Sequence, residues 1–214
     1  MAVKGLIFDM DGTLTLSMGY WRKGLREDIC RFNGVPEEEI AGMIAEPFVW
    51  AELREKLTAR NEAYADTKAF WKDTYAQLAE YYSTASEPVP GALEFLRKMK
   101  EEGMKLGVAT ATPRHIAAHA LEHLEILPLL DAFISTKDLG IEKTEPNVYL
   151  ECAKLMGLEK DEIVVFEDAL YCGKTLRTHG FTFIGIHDPT MPDEQWKEFT
   201  PLCDRAVEDY TELL

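Results

Sequence analysis

Two carboxylates spaced two residues apart, Asp9 and Asp11, follow an apolar run from Val3 to Phe8 and precede the pair Gly12-Thr13. Apolar runs of this length that stop at a turn signal read as buried strands. Acidic groups at the end of a buried strand are costly unless a cation or a substrate compensates them. A carboxylate in that place can attack an electrophile and form a covalent intermediate. A second one, two residues on, can give a proton to a departing oxygen and later take one from water. The plainer alternative is a strand ending in an Asp-Gly turn, since turns commonly use both residue types.

Three later segments bear on that choice: Thr110-Ala111-Thr112, Lys143 within Glu142-Lys143-Thr144-Glu145-Pro146, and Glu167-Asp168. Together with Asp9 and Asp11 they describe a phosphoryl-transfer site. Thr110 and Ala111 offer a hydroxyl and a backbone N–H for phosphate oxygens, and Lys143 offers a point charge. Gly12 lets the chain turn beside them, and Gly12, Thr110, Ala111 and Lys143 form the expected phosphate-binding set. Asp9, Asp168 and a backbone carbonyl are hard oxygen ligands suited to Mg²⁺. Without a cation the four carboxylates Asp9, Asp11, Glu167 and Asp168 would repel one another and raise each other's pKa.

The elements that must position these residues are legible as alternating patterns. Short apolar runs recur at 104–109, 132–135, 163–166 and 181–186, with a weaker one at 205–207. Helical patterns lie between them over 90–100, 113–124, 146–156 and 169–178. Strands alternating with helices of this length imply βαβ units and a doubly wound, mostly parallel sheet of the α/β class. Each chemical segment then falls at the carboxyl end of a strand or in the loop after it, where open α/β sheets bind ligands. Residues 17–86 carry no β-rich run and are expected to form an all-helical cap, with a helix start at Val35-Pro36-Glu37 and a strong helix over 69–82. Residues 1–16 and 87–214 are expected to form the catalytic core, joined through a Pro-rich hinge over 86–91.

Phe8-Asp9-Met10-Asp11-Gly12-Thr13-Leu14 resembles the first motif of the haloacid dehalogenase superfamily. Thr110, Lys143 and Glu167-Asp168 follow in the order of its second, third and fourth motifs. The resemblance covers the whole chain and, with a helical insert after the first motif, is to the subfamily with an α-helical cap on a Rossmann-like core. The Glu-Asp pair is similar to the branch of β-phosphoglucomutase and sugar-phosphate phosphatases. The resemblance implies Asp9 as nucleophile and Asp11 as acid and base. It implies Mg²⁺ held by Asp9, the Asp11 carbonyl and Asp168, with Glu167 in support, and phosphate on Thr110 and Lys143. One departure stands out: Leu16 occupies the place of an acidic residue common in the family, which alters the expected contacts to the cap.

Composition sets the outer limits. A net charge of −15 and a pI near 4.8 disfavour nucleic-acid backbone binding. No apolar run approaches a membrane span. The first residues run straight into the opening strand, which leaves no room for a signal peptide, and four scattered cysteines form no CxxC pair. A monomer in the cytoplasm is expected. Trp21, Arg60 and His115 are candidate substrate contacts, and Arg54 and Trp50 rank below them. His115, His119 and His123 recur on one helix, but no third convergent ligand accompanies them. The reading is a Mg²⁺-dependent phosphatase of a small phosphorylated metabolite. A phosphoglucomutase-type isomerase is the nearest alternative. A non-catalytic binding protein is disfavoured, because a binder has no need of an acid/base beside a nucleophile.

Overall fold

A computed structural model describes residues 2–214. Its six strands form one sheet: β1 (Gly5–Phe8), β2 (Lys105–Thr110), β3 (Ala132–Ser135), β4 (Ile163–Glu167), β5 (Phe183–Ile186) and β6 (Arg205–Val207). Every neighbouring pair is parallel, in the order β3-β2-β1-β4-β5-β6. The expected strands are all present, and the differences lie at their ends. The fifth begins at Phe183 rather than at 181, because the Phe181 N–H closes onto the Leu176 carbonyl in the turn before it.

Between β1 and β2 the chain is helical. After a π-helical turn (Tyr20–Gly24) come α1 (Leu25–Phe32), α2 (Glu37–Met43), α3 (Trp50–Thr58) and α4 (Thr67–Thr84). The long helix starts two residues earlier than its apolar pattern, since the Asp66 side chain accepts from the Lys68 N–H and caps it. This segment carries a cluster of its own, including Ile29, Ile40, Leu53, Leu57, Tyr64 and Phe70. Its two ends meet at a neck: the Leu16 N–H bonds the Glu87 carbonyl, and the Val89 N–H bonds the Leu14 carbonyl, both at 2.9 Å.

The rest of the chain alternates. Helices α5 (Ala92–Glu101) and α6 (Arg114–His123) cover one face of the sheet, and a short α7 (Thr136–Leu139) follows β3. Helices α8 (Asn147–Leu155), α9 (Leu170–Thr178) and α10 (Asp193–Phe199) cover the other face. Period-two alternation along the strands divides the core accordingly: Leu6, Phe8, Val108, Val164 and Phe166 face α5 and α6, while Ile7, Ala109 and Val165 face α8 and α9. After β1 the chain adds strands on one side of it, and from β4 on the other. The switch in strand order thus lies between β1 and β4, where a crevice opens at their carboxyl ends. No helix among the described residues is long and apolar enough to cross a membrane.

Candidate active site

The parallel register places Phe8 beside Phe166, and the Asp9 N–H continues the ladder onto the Phe166 carbonyl at 2.9 Å. The next residues of both chains are the acidic ones, so Asp9, Glu167 and Asp168 meet at the switch point. All three are buried, and one carboxylate oxygen from each lies within 4.8 Å of the others. Lys143, buried in the loop before α8, donates to Asp9 Oδ1 and, at 2.7 Å, to Glu167 Oε1. The Tyr149 hydroxyl on α8 donates to the same Glu167 oxygen at 2.7 Å. Thr13 Oγ1 donates to Asp168 Oδ1 at 3.1 Å.

Gly12 has φ +86°, and a Cβ there would fall 2.2 Å from Asp168 Oδ2. Only glycine tolerates both the conformation and the approach. Its N–H is bonded to the Thr15 carbonyl at 2.9 Å and so is engaged within the turn. Gly12 makes room for the Asp168 carboxylate.

The electrostatics are those of an undercompensated acidic floor. Burial pushes the Asp9 carboxyl up to about 7 against the pull of Lys143, and the charges of Glu167 and Asp11 add to the rise. Burial raises Asp168 well above the usual carboxylate range, reinforced by Asp9, Glu167 and Asp188. For Lys143, burial alone would push the ammonium down; the charges of Asp9 and Glu167 more than offset it and hold it well above the ordinary lysine value. One buried ammonium thus faces three buried carboxylates. The all-oxygen donor set and its surplus negative charge fit a hard divalent cation.

Asp11 lies beside this floor in a cage of donors. Ser17 Oγ (2.6 Å), Trp21 Nε1 (3.2 Å) and the Tyr82 hydroxyl all point at Oδ1, and Thr112 Oγ1 (2.7 Å) at Oδ2. Burial, followed by the Asp11 charge, holds the Tyr82 phenol well above its usual pKa, so it stays a donor. Three of the four donors, Ser17, Trp21 and Tyr82, come from residues 17–86.

Both acidic groups open into a cavity of about 810 Å³ between the sheet edge and the helical segment. Ala111, Thr112 and Lys143 line it. Thr110 is fully buried beside it, with its Oγ1 accepting from the Thr112 N–H at 3.0 Å. Of the candidate substrate contacts, only Trp21 lines the cavity. Arg60 does not: its guanidinium bonds Glu39 (2.8 Å) and the Gly34 carbonyl (3.3 Å) within the helical segment. His115 does not either; it is exposed on α6, outside the lining. Arg54 is bonded to the Tyr64 and Ala65 carbonyls, whereas Trp50 does reach the cavity, together with Trp71 and Tyr75.

Sequence reasoning missed the tyrosines. Tyr82, Trp71 and Tyr75 fall in the strong helical pattern over 69–82, and Tyr149 lies unremarked in the helical pattern over 146–156. For Tyr82 and Tyr149 the available signal was the hydroxyl, for which a buried tyrosine usually finds a partner.

Comparison with known proteins agrees with this geometry. Residues 3–175 match the family model described as haloacid dehalogenase-like hydrolase. A validoxylamine A 7′-phosphate phosphatase of Streptomyces hygroscopicus subsp. limoneus is 29% identical over 170 residues, covering 78% of this chain and 77% of the relative. A fructose-1-phosphate phosphatase of Escherichia coli is 28% identical over 185 residues, covering 85% and 95%. Among solved structures, a Thermotoga maritima protein assigned as a β-phosphoglucomutase superimposes with a TM-score of 0.74 at 21% identity, covering 96% of this chain and 94% of its own. That likeness concerns the fold. With its motifs gathered at one sheet edge and the family model spanning most of its length, the chain belongs to the haloacid dehalogenase-like hydrolases.

Proposed function

We propose that this protein is a Mg²⁺-dependent phosphatase that hydrolyses a small phosphorylated metabolite through an aspartyl-phosphate on Asp9. The observation that carries the reading is the pairing at the switch point: Asp9 is bonded to Lys143 within the acidic floor, and Asp11 stands beside it over the same cavity. Asp9 and Asp168, with the Asp11 carbonyl, would hold Mg²⁺, and Glu167 would support them through its bonds to Lys143 and Tyr149. The ion, when bound, neutralises the charge of the floor and of the transferring phosphoryl group.

In the first step an Asp9 oxygen forms a bond to phosphorus as the bond to the leaving oxygen breaks, and Asp11 gives that oxygen its proton. In the second, the Asp11 carboxylate takes a proton from water as the water oxygen attacks phosphorus, which frees Asp9 and inorganic phosphate. Lys143 holds Asp9 in place and steadies the charge on the phosphoryl oxygens. Thr110, whose oxygen already accepts from the Thr112 N–H, keeps its own O–H to donate to phosphate, with the Ala111 backbone N–H beside it. Residues 17–86 act as a cap over the core formed by 1–16 and 87–214, excluding bulk water from the intermediate.

Hydrolysis is favoured over mutase chemistry by the names of the sequence relatives, which are phosphatases of phosphorylated carbohydrates and related compounds. The acidic balance of the chain, −15, supports a protein that works without nucleic-acid partners; a cytoplasmic monomer without membrane partners is proposed with it. The test is phosphate release from a panel of phosphomonoesters with Mg²⁺ and with chelator. Activity that persists in chelator or in Asp9→Asn overturns the mechanism. Phosphoprotein that accumulates in Asp11→Asn supports the division of roles.

A further inference from the structure

The wall opposite the acidic floor differs in kind from the floor itself. It is built largely from one face of α4 together with the start of α3 and the π-helical turn. Thr67, Trp71 and Tyr75 are spaced four residues apart and so share a helix face, and all three line the cavity. Trp71 and Tyr75 stack at 5.2 Å with an interplanar angle of 27°, and Trp50 lies 5.4 Å from Trp71. Each of these rings is only partly buried, so apolar ring surface is presented to whatever fills the space.

The hydrogen-bonding character of the wall is weighted towards donors. Among the described residues, the only carboxylates lining the cavity are Asp9, Asp11, Glu167 and Asp168 on the floor, and no Asn or Gln lines it. The wall instead carries Arg22, Arg26 and Lys68 and the indole N–H groups, which donate and cannot accept; Arg22 is paired with Asp188 and Arg26 with Glu46, and the acceptors on the wall are the Thr67 and Tyr75 hydroxyls. Arg26 even holds a buried Nε–H with no partner, its guanidinium lying 3.6 Å over the Phe48 ring. A polyol brings a row of hydroxyl donors that need acceptors, and beyond the Thr67 and Tyr75 hydroxyls this wall has none for them. A flat ring bearing acceptor atoms meets the opposite situation: faces to stack on and donors to accept from.

We infer that Trp71, Tyr75 and Trp50 determine the specificity of this site by stacking, and that its leaving group is an aromatic or heteroaromatic alcohol rather than an open polyol or a sugar. The inference rests on the phosphatase reading of the floor and adds to it the chemistry of the leaving group.

The test compares kcat/KM of the Mg²⁺-loaded protein for benzyl phosphate and pyridoxal 5′-phosphate with that for glucose 6-phosphate and sorbitol 6-phosphate. Labelling of Asp9 by acetyl phosphate in an Asp11→Asn background, where the intermediate persists, serves as a measure of the chemistry without any leaving-group ring. The ring esters are expected to lead by about 10-fold or more. Trp71→Ala should lower the ring esters by about 10-fold, mainly through KM, and leave the sugar esters within about 3-fold and the acetyl phosphate labelling unchanged. Trp71→Leu keeps apolar bulk against the neighbouring cluster but removes the ring, and should behave as Trp71→Ala does. Equal or better turnover of the sugar esters by the wild type, or an equal loss on all esters in both variants, overturns the wall while the labelled Asp9 keeps the phosphatase reading. Failure of acetyl phosphate to label Asp9 overturns the phosphatase reading and the wall with it.

Discussion

The floor and the wall of the cavity are made by opposite means. The floor is built from the ends of central strands, its acidic groups are buried, and its positions are fixed by backbone register: Asp9 continues the ladder onto Phe166, and Glu167 ends the neighbouring strand. The wall is built from helix faces that reach the site through tertiary packing, and its rings are half exposed. Groups that must meet a reacting atom within fractions of an ångström sit on the rigid element. Groups proposed to read the rest of the substrate sit on the inserted helices.

That contrast can be broken at several levels. The largest expected effect is at the nucleophile: Asp9→Asn should reduce phosphate release by at least about 10⁴-fold on every ester, with circular dichroism and thermal unfolding showing an intact fold. A ring-dependent loss at this position would erase the distinction between floor and wall.

Next comes the single cation of the floor. Lys143→Met leaves Asp9 and Glu167 without their buried partner. The variant should lose about 3–5 kcal/mol of stability in denaturant titration as well as its activity on every ester. A change confined to KM for one class of ester would contradict its assignment to the floor.

The third prediction concerns pH and metal. Asp9 is raised from its ordinary value to about 7 and Asp168 is shifted in the same direction. The folded state therefore binds more protons than the unfolded state between about pH 4 and 7, and stability is lost as pH rises through that window. In chelator, Tm should fall from about pH 6 to about pH 8. Mg²⁺ at about 100-fold over its Kd should add about 2.7 kcal/mol at the upper end, or about 5–10 °C, and less at the lower end. A Mg²⁺ effect that does not grow with pH would separate the ion from these carboxylates.

A smaller effect is expected where floor and wall touch. Tyr82→Phe removes one of four donors to Asp11, and turnover of alkyl phosphates should fall by about 10-fold, with p-nitrophenyl phosphate, whose leaving oxygen needs no proton, less affected. The smallest effects mark the outer limit of the site: Arg60→Ala and His115→Ala, both away from the cavity, should leave kcat/KM within about 2-fold.

The same contrast governs what the sequence could reveal. Asp9, Asp11, Lys143 and Glu167-Asp168 were legible because each is local: a polar residue where an apolar run stops or, for Lys143, in the loop that follows one, in a chain whose βαβ pattern brings all such ends to one edge. The six strands were legible for the same reason, and their ends shifted only where a turn claimed a residue, as at Phe181. The wall was not legible. Arg60 looked like a substrate contact because nothing in its surroundings along the chain shows that Glu39, from another helix, holds it. His115 opens a helix beside the phosphate loop, yet the helix turns that side outward. Tyr82 could be read as helix stripe, but its hydroxyl lies on Asp11 only because α4 packs against α6 and the sheet edge.

The neck formed by Leu14–Leu16 and Glu87–Val89 has a consequence for how such a protein diversifies. Because the helical segment leaves and rejoins the sheet at one hydrogen-bonded crossing, its ends are closed at the same point whatever lies between them. The entropy of closing so long an excursion grows only slowly with its length, and the neck bears that cost once. Helices can then lengthen, shorten or exchange their ring-bearing faces while the register of β1 against β4 stays as it is. Selection for a new leaving group would act on one side of this crossing, and preservation of the phosphoryl chemistry on the other.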